Sequence, residues 1–204
     1  MPVPAIILAA GASRRLGQPK QLVRVGGETL LSRTMRVARE SGLDPIFVVL
    51  GAHHEQILSA VDMSSVQVIV NHDWEQGIAS SIRAGLEGIL LVDPNAMSLM
   101  LLVCDQPKLS AVHLRKLIDT NEQVYERKTG PAIVASRYAG VAGIPAIFPV
   151  SQFPGLLALQ GDSGAKSLLR DSASHVVEIE FDGGEIDVDL PSDIETALQQ
   201  DCPH

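Results

Sequence analysis

Aromatic residues are scarce in this chain: Phe, Trp and Tyr make up 3% of 204 residues, with a single Trp. A core must therefore come from Ala, Val, Ile and Leu, which a hydrophobic content of 46% supplies. Positive charge is also short, with 16 Lys and Arg against 24 Asp and Glu, a net charge of −8. That balance argues against duplex DNA or an anionic membrane surface as partner, since both need a basic face. It leaves room for a small phosphorylated ligand, which needs only a few local cations. Cysteine is nearly absent. Cys104 and Cys202 form neither a disulfide framework nor a zinc spacing, and a reducing, cytoplasmic compartment is the expectation. No long apolar run is present. The most apolar stretch, Gly88 to Val103, is interrupted by Asp93, Pro94 and Asn95, so it reads as a helix end, a turn and a strand rather than a membrane span. Met1-Pro-Val-Pro lacks the basic region that opens a signal peptide. Internal repeats and low-complexity tracts are lacking too.

What is present is alternation. Ala5–Ala9, Ile46–Leu50, Val66–Val70 and Leu99–Val103 are short apolar runs, the pattern of strands buried on both faces. Between them lie segments of helical spacing: Thr29–Ser41, His53–Val61, the face Ile78, Ile82, Leu86 and Ile89, and Ala111–Glu122. This predicts a parallel sheet covered on both sides. After about Lys128 the pattern changes to short strands at Ala132–Ala135, Pro145–Phe148 and Val176–Phe181, with short helices at Phe153–Leu159 and Ala165–Asp171. These read as mixed-direction strands added to the same sheet. A last helix is predicted from Pro191 to Gln200, with Ser192 and Glu195 at capping-box spacing. His53 and His54 match no motif and read as surface residues at a helix start.

The first strand runs into Leu8-Ala-Ala-Gly-Ala-Ser-Arg-Arg-Leu-Gly-Gln-Pro-Lys20. A loop at a strand's carboxyl end is where open α/β sheets bind ligands. Gly11 and Gly17 permit tight turns with exposed N–H groups that can cradle phosphate oxygens. Arg14, Arg15 and Lys20 add cations to an otherwise acidic protein. Two familiar loops are excluded. Gly11-Ala-Ser lacks the second glycine of the dinucleotide fingerprint, and Gly17 is followed by Gln18 rather than the Lys-Ser/Thr of a Walker A loop. Three further segments stand at ligand-facing positions. Asn71 to Ser81 follows the third strand and opens a helix, placing Gly77, Ser80 and Ser81 where donors to a base, ribose or phosphate would stand. Asp105, in Val103-Cys-Asp-Gln-Pro107, directly follows a buried strand, and a carboxylate there suits Mg²⁺, which takes oxygen ligands together with substrate phosphates. The fourth segment is Ile186-Asp-Val-Asp-Leu-Pro-Ser-Asp193.

Leu8-Ala-Ala-Gly11 with Ser13, Arg15, Gly17 and Lys20 resembles the signature loop of the MobA-like NTP transferases, closest to the molybdenum cofactor cytidylyltransferase branch. The resemblance extends over nearly the whole chain. It implies a Rossmann-like three-layer α/β sandwich with a mostly parallel central sheet, the GT-A-like nucleotidyltransferase fold. The chain would be a single domain over 1–204, with a nucleotide-binding half at 1–127 and an acceptor-binding half with the C-terminal helix at 128–204. It further implies that Leu8, Ala9, Ala10, Gly11 and Ser13, with Gly77, Ser80 and Ser81, shape the nucleotide site. Lys20 would touch the α-phosphate and its leaving neighbour, and Arg15 the β- and γ-phosphates. Asp105 and Asp189 would hold Mg²⁺, with Asp187 and Asp193 weaker candidates. On the acceptor side, Gly143-Ile-Pro-Ala-Ile-Phe148 and Gly161-Asp-Ser-Gly-Ala-Lys166 resemble two family loops, which brings in Gly143, Asp162 and Lys166. The chain departs from the family pattern there: Ile144 replaces a His and Lys166 an Arg, so a hydrogen-bonding ring and a bidentate fork are lost. Leu190 likewise stands where Thr is common.

The activity implied is transfer of a nucleoside monophosphate to a phosphorylated small molecule such as a molybdopterin-type cofactor, with release of pyrophosphate, by a cytoplasmic monomer or weak homodimer. CTP is the expected donor, because Ala10 places a methyl group where the resembling guanylyltransferases carry glycine. Two other readings stand beside it: a non-catalytic nucleotide- or cofactor-binding protein on the same fold, and a nicotinamide-dependent oxidoreductase.

Overall fold

The computed structural model describes residues 2–126, 131–171, 175–190 and 193. The predicted last helix, Pro191 to Gln200, lies outside the described residues apart from Asp193.

In chain order the elements are β1 (Ala5–Ala9), β2 (Arg24–Val25), β3 (Glu28–Thr29), α1 (Leu30–Glu40), β4 (Ile46–Leu50), α2 (His54–Ala60), β5 (Gln67–Val70), α3 (Ile78–Val92), β6 (Ser98–Val103) and α4 (Ala111–Glu126). The second half adds β7 (Ile133–Tyr138), β8 (Val141–Pro149), α5 (Phe153–Ala158), α6 (Lys166–Asp171) and β9 (Val176–Glu180). Among the described residues seven strands form one sheet in the order β5-β4-β1-β6-β8-β7-β9, and β2 and β3 pair as a separate hairpin. β5, β4, β1 and β6 run parallel, β8 is antiparallel to both of its neighbours, and β9 is parallel to β7.

The buried apolar strands are two-faced, as their sequences require. Ile7, Ala9, Val48 and Leu50 point to the layer of α1, α2 and α4, where Leu31, Ala38, Ile57, Leu114 and Leu117 meet them. Ile6, Leu8, Phe47 and Val49 point to the opposite layer, where Ile82, Leu86 and Ile89 of α3, Leu156 of α5 and Leu169 of α6 pack. The mostly parallel sheet between two helical layers is the architecture expected from the sequence. Local chemistry sets the element ends. The Thr29 side chain accepts a hydrogen bond from the Ser32 N–H and caps α1, which stops before Gly42 at φ +92°.

Three features differ from the sequence reading. The β2–β3 hairpin went unforeseen because two-residue strands carry no periodicity. β7 and β8 are longer than predicted and meet through Ala139 and Gly140, both at positive φ (48° and 78°), a two-residue turn closing a hairpin. α4 continues four residues past Glu122, to Glu126. Among the described residues no helix is long and apolar enough to cross a membrane.

Candidate active site

The carboxyl ends of β1 and β6 bring the two strongest sequence signals together. The loop after β1 is held by its own side chains. Gln21, fully buried, donates from Nε2 to the carbonyls of Ala9 (2.6 Å) and Gly11 (3.2 Å). The Lys20 N–H donates to Ser13 Oγ at 3.0 Å, and Ser13 itself is left-handed at φ 51°. Ser13 thus closes the loop that presents Lys20. Arg14, Arg15, Gly11, Ser13 and Lys20, with Asp189, border a cavity of about 190 Å³.

Asp189 reaches this loop through its neighbours. Val188 is fully buried in a small cluster with Leu16, Val23, Val25 and Leu30, so the loop after β1 and the hairpin region grip it. The Val188 N–H donates to the Asp105 carbonyl at 3.0 Å. Asp193 Oδ2 accepts from the N–H groups of Asp189 (3.0 Å) and Leu190 (2.7 Å), which fixes the turn. Gln106 is the remaining strap. Its Nε2 donates to the Ile144 carbonyl at 3.0 Å and to the Gly184 carbonyl at 2.9 Å, tying the end of β6 to β8 and to the segment leading to Asp187.

The charged groups meet at Lys20. Its Nζ lies 2.5 Å from Asp105 Oδ2 and 3.2 Å from Asp189 Oδ1, and Arg15 Nη2 lies 2.8 Å from Asp189 Oδ2. Burial pulls the Lys20 ammonium down, but the Asp105 carboxylate beside it more than reverses this, so its net shift is upward. Two hard oxygen donors therefore converge on one cation-sized position. Among the described residues no third His, Cys, Asp or Glu joins them as a metal cluster. Two carboxylates, with further oxygens arriving on a substrate, fit the way Mg²⁺ is bound in phosphoryl-transfer sites. Asp187 is pushed up to about 6 by burial, then by Asp105 and Asp189, with Lys166 opposing. Cys104 is fully buried and burial pushes its thiol up to about 12, which makes it a poor nucleophile.

A second cavity of about 640 Å³ adjoins the first, with Asp105 on its wall. Leu8, Ile78, Ile82, Leu101, Val103 and Ile144 form its apolar side, and Asp162, Lys166, Arg170, Asp187, Gln106 and Tyr138 its polar side. Lys20 lines the smaller space and Asp105 the larger, so their ion pair links the two walls. Sequence reasoning missed Gln21, Gln106, Tyr138 and Arg170. Gln106 directly follows Asp105, and Arg170 lies one helical turn after Lys166; those spacings were the available signals.

The other sequence candidates divide between cavity wall and scaffold. Asp162 and Lys166 line the larger cavity, with the Lys166 ammonium 5.8 Å from the Tyr138 ring centre. Leu8 is on that same wall rather than at the phosphate loop, and the Ala9 methyl is in the core. The Ala10 carbonyl accepts from the Ala52 N–H at 3.0 Å, beside Gly51, where a Cβ would lie 2.6 Å from Cβ of Trp74. Ser80 and Ser81 are buried. Asn71 Nδ2 donates to both hydroxyl oxygens, at 2.8 and 3.0 Å, and Ser80 Oγ lies within hydrogen-bond reach of the Asp73 and Gly77 carbonyls. These bonds hold the turn between β5 and α3 in shape. Gly143 is not on the cavity wall; a Cβ there would lie 2.3 Å from the Tyr138 hydroxyl, so the glycine makes room for that ring. His53 is exposed and His54 half-buried, both at the start of α2 as expected.

Residues 5–177 match the sequence model of the family described as "MobA-like NTP transferase domain". The purine catabolism protein PucB of Bacillus subtilis is 30% identical over 198 residues, covering 92% of this chain and 92% of its own length. Nicotine blue oxidoreductase of Paenarthrobacter nicotinovorans is 28% identical over 173 residues, covering 82% of this chain and 81% of its own. Among solved structures, Rv0371c of Mycobacterium tuberculosis superposes with a TM-score of 0.82 at 32% identity, covering 98% of each chain. That protein is also known in complex with manganese, and this structure aligns at 31% identity with a TM-score of 0.78.

Proposed function

The chain belongs to the MobA-like NTP transferase family, and from that premise we propose that it transfers CMP from CTP to a phosphorylated small molecule, such as a molybdopterin-type cofactor, releasing pyrophosphate. One observation carries the reading. Lys20 and Arg15, from the loop after β1, meet Asp105 and Asp189 at the border of a phosphate-sized cavity and a larger one. Such a border is where a donor nucleotide and an acceptor would touch.

The chemistry follows from those groups. An acceptor oxygen forms a bond to the α-phosphorus while the bond from that phosphorus to the bridging oxygen of pyrophosphate breaks in line. Such transfers depend on positioning and charge neutralisation more than on covalent catalysis. Lys20 and Arg15 turn from the carboxylates to the phosphates and stabilise the charge that builds on the leaving pyrophosphate. Asp105 and Asp189 would hold Mg²⁺, which supplies neutralisation of the phosphate oxygens and orients them. The apolar side of the larger cavity holds the body of the acceptor, and Lys166 offers its phosphate a point charge. No enzyme nucleophile is required. Both halves, 1–127 and 128–204, would serve each side: the first lends Leu8, Ile78, Ile82, Leu101 and Val103 to the acceptor cavity, and the second lends Asp189 to the donor cavity.

The relative named as an oxidoreductase brings the hydride-transfer reading back into view. The loop after β1 weighs against it here, because Gly11-Ala-Ser lacks the glycine that lets a dinucleotide pyrophosphate approach the backbone. The base preference rests on Ala10. A single methyl discriminates by only about 1–3 kcal/mol, so leakage to other nucleotides is expected, with UTP the main competitor. Competition kinetics with all four NTPs and Mg²⁺ test this. CTP should show the highest kcat/KM, and a higher value for GTP would overturn the assignment of the base.

A further inference from the structure

The sequence places Gly77 in the nucleotide site, and in the fold it packs against Gly161 and Asp162, of which Asp162 lines the larger cavity. It has φ +98° and ψ 176°, a region open essentially to glycine alone. A Cβ at this position would lie 2.3 Å from both C and O of Gly161 and 2.8 Å from the Asp162 N. All three are backbone atoms, so no side-chain rotation could relieve the clash. The N-terminus of α3 has no side-chain cap. Instead the Ala79 N–H donates to the Gly161 carbonyl at 3.1 Å. Two further contacts hold the same segment. Arg83 Nη1 donates to the Leu159 carbonyl at 2.6 Å, and the Ile78 side chain packs at Gly164. The segment so held, Asp162 to Lys166, is one wall of the 640 Å³ cavity.

We infer that Gly77 is a positioning residue for the acceptor side. By lacking a side chain it lets the Gly161–Lys166 loop seat on the first turn of α3 and complete the larger cavity. The inference rests on the proposed division between a donor and an acceptor cavity. It also gives that division a physical link, because the helix that the Asn71–Ser81 segment opens carries the acceptor wall. With the seat blocked, Lys166 would leave Tyr138 and Asp187, and the cavity would open at that wall. The phosphate loop is braced separately by Gln21 and Ser13, so it should keep its shape.

The test uses the full chain, with Gly77→Ala and, as a second variant, Gly161→Ala. The second strains the loop at φ +57° from its own side, and its Cβ meets nothing within 4 Å. Hydrogen exchange of peptides spanning 159–167 is measured together with CTP affinity by calorimetry. Both variants should speed exchange in 159–167 by about tenfold or more, with CTP affinity within about threefold of the parent. Faster exchange across the whole chain, unchanged exchange in 159–167, or a tenfold loss of CTP affinity in Gly77→Ala would each overturn the inference. The last result would return Gly77 to the nucleotide site. If the parent chain does not bind CTP at all, the proposed function fails, and the exchange measurement still decides whether Gly77 seats the loop.

Discussion

Lys20 carries the most specific expectation at the residue scale. Its ammonium touches oxygens of both candidate metal-binding carboxylates, and it projects from a loop whose shape Gln21 and Ser13 maintain. A charge that meets a leaving pyrophosphate is felt more in the transition state than in the bound substrate. Lys20→Ala should therefore lower kcat by about 10²-fold or more while changing the KM for CTP far less. Steady-state kinetics decide it; a raised KM with unchanged kcat would make Lys20 a ground-state binder. The residues of the charged centre were legible because Lys20, Arg15 and Asp105 lie in segments that follow buried strands, in recognisable patterns. Gln21 was not legible, because a glutamine shows its role only through carbonyls made available by the tertiary fold. The spacing of Ser80 and Ser81 suits ligand donors, and what it does not reveal is that Asn71 donates to both hydroxyl oxygens.

Elements, more than single residues, place Asp189 near Asp105. Gln106 at the end of β6 satisfies carbonyls from β8 and from the segment after β9. Gln106→Leu keeps the approximate volume and leaves both carbonyls unpaired, which should cost about 2–4 kcal/mol by urea unfolding. A loss below about 0.5 kcal/mol would show that water replaces the strap. α4 supplies a second expectation. His113 stacks on Phe181 with ring centres 4.3 Å apart, and its Nε2 lies 2.8 Å from Ser136 Oγ. Burial, helped by Lys116, holds its pKa down to about 4 against an ordinary 6.5. The unfolded chain thus takes up the proton first. This contribution to stability is complete above pH 6.5, falls as the pH drops towards 4, and is flat below that. Between pH 7.5 and 5 the parent should lose about 1–2 kcal/mol more than His113→Gln. Equal losses in the two proteins would contradict the assignment. The parallel strands and long helices were readable because each buries an apolar run or stripe. The β2–β3 hairpin and the extra length of β7 and β8 were not, since short strands and an Ala-Gly turn carry little pattern.

At the scale of the whole molecule, an acidic protein concentrates Arg14, Arg15 and Lys20 in the loop after the central strand β1 and sets Lys166 and Arg170 on a neighbouring cavity. The fold places these groups together, so global charge misleads about the local site. On the proposed function, the two cavities meet at a metal-assisted nucleotide site built on Asp105. A thermal-shift titration of CTP, with and without Mg²⁺, on the parent and on Asp105→Asn tests it most directly. A ligand that binds only the native state raises Tm with its concentration, by about 2.7 kcal/mol of added stability at one hundred times Kd. The parent should show a CTP-dependent rise in Tm that Mg²⁺ enlarges, and Asp105→Asn should lose the Mg²⁺-dependent part while keeping its fold. An equal Mg²⁺-dependent rise in both proteins, or no response of the parent to CTP or any other NTP, would contradict the claim.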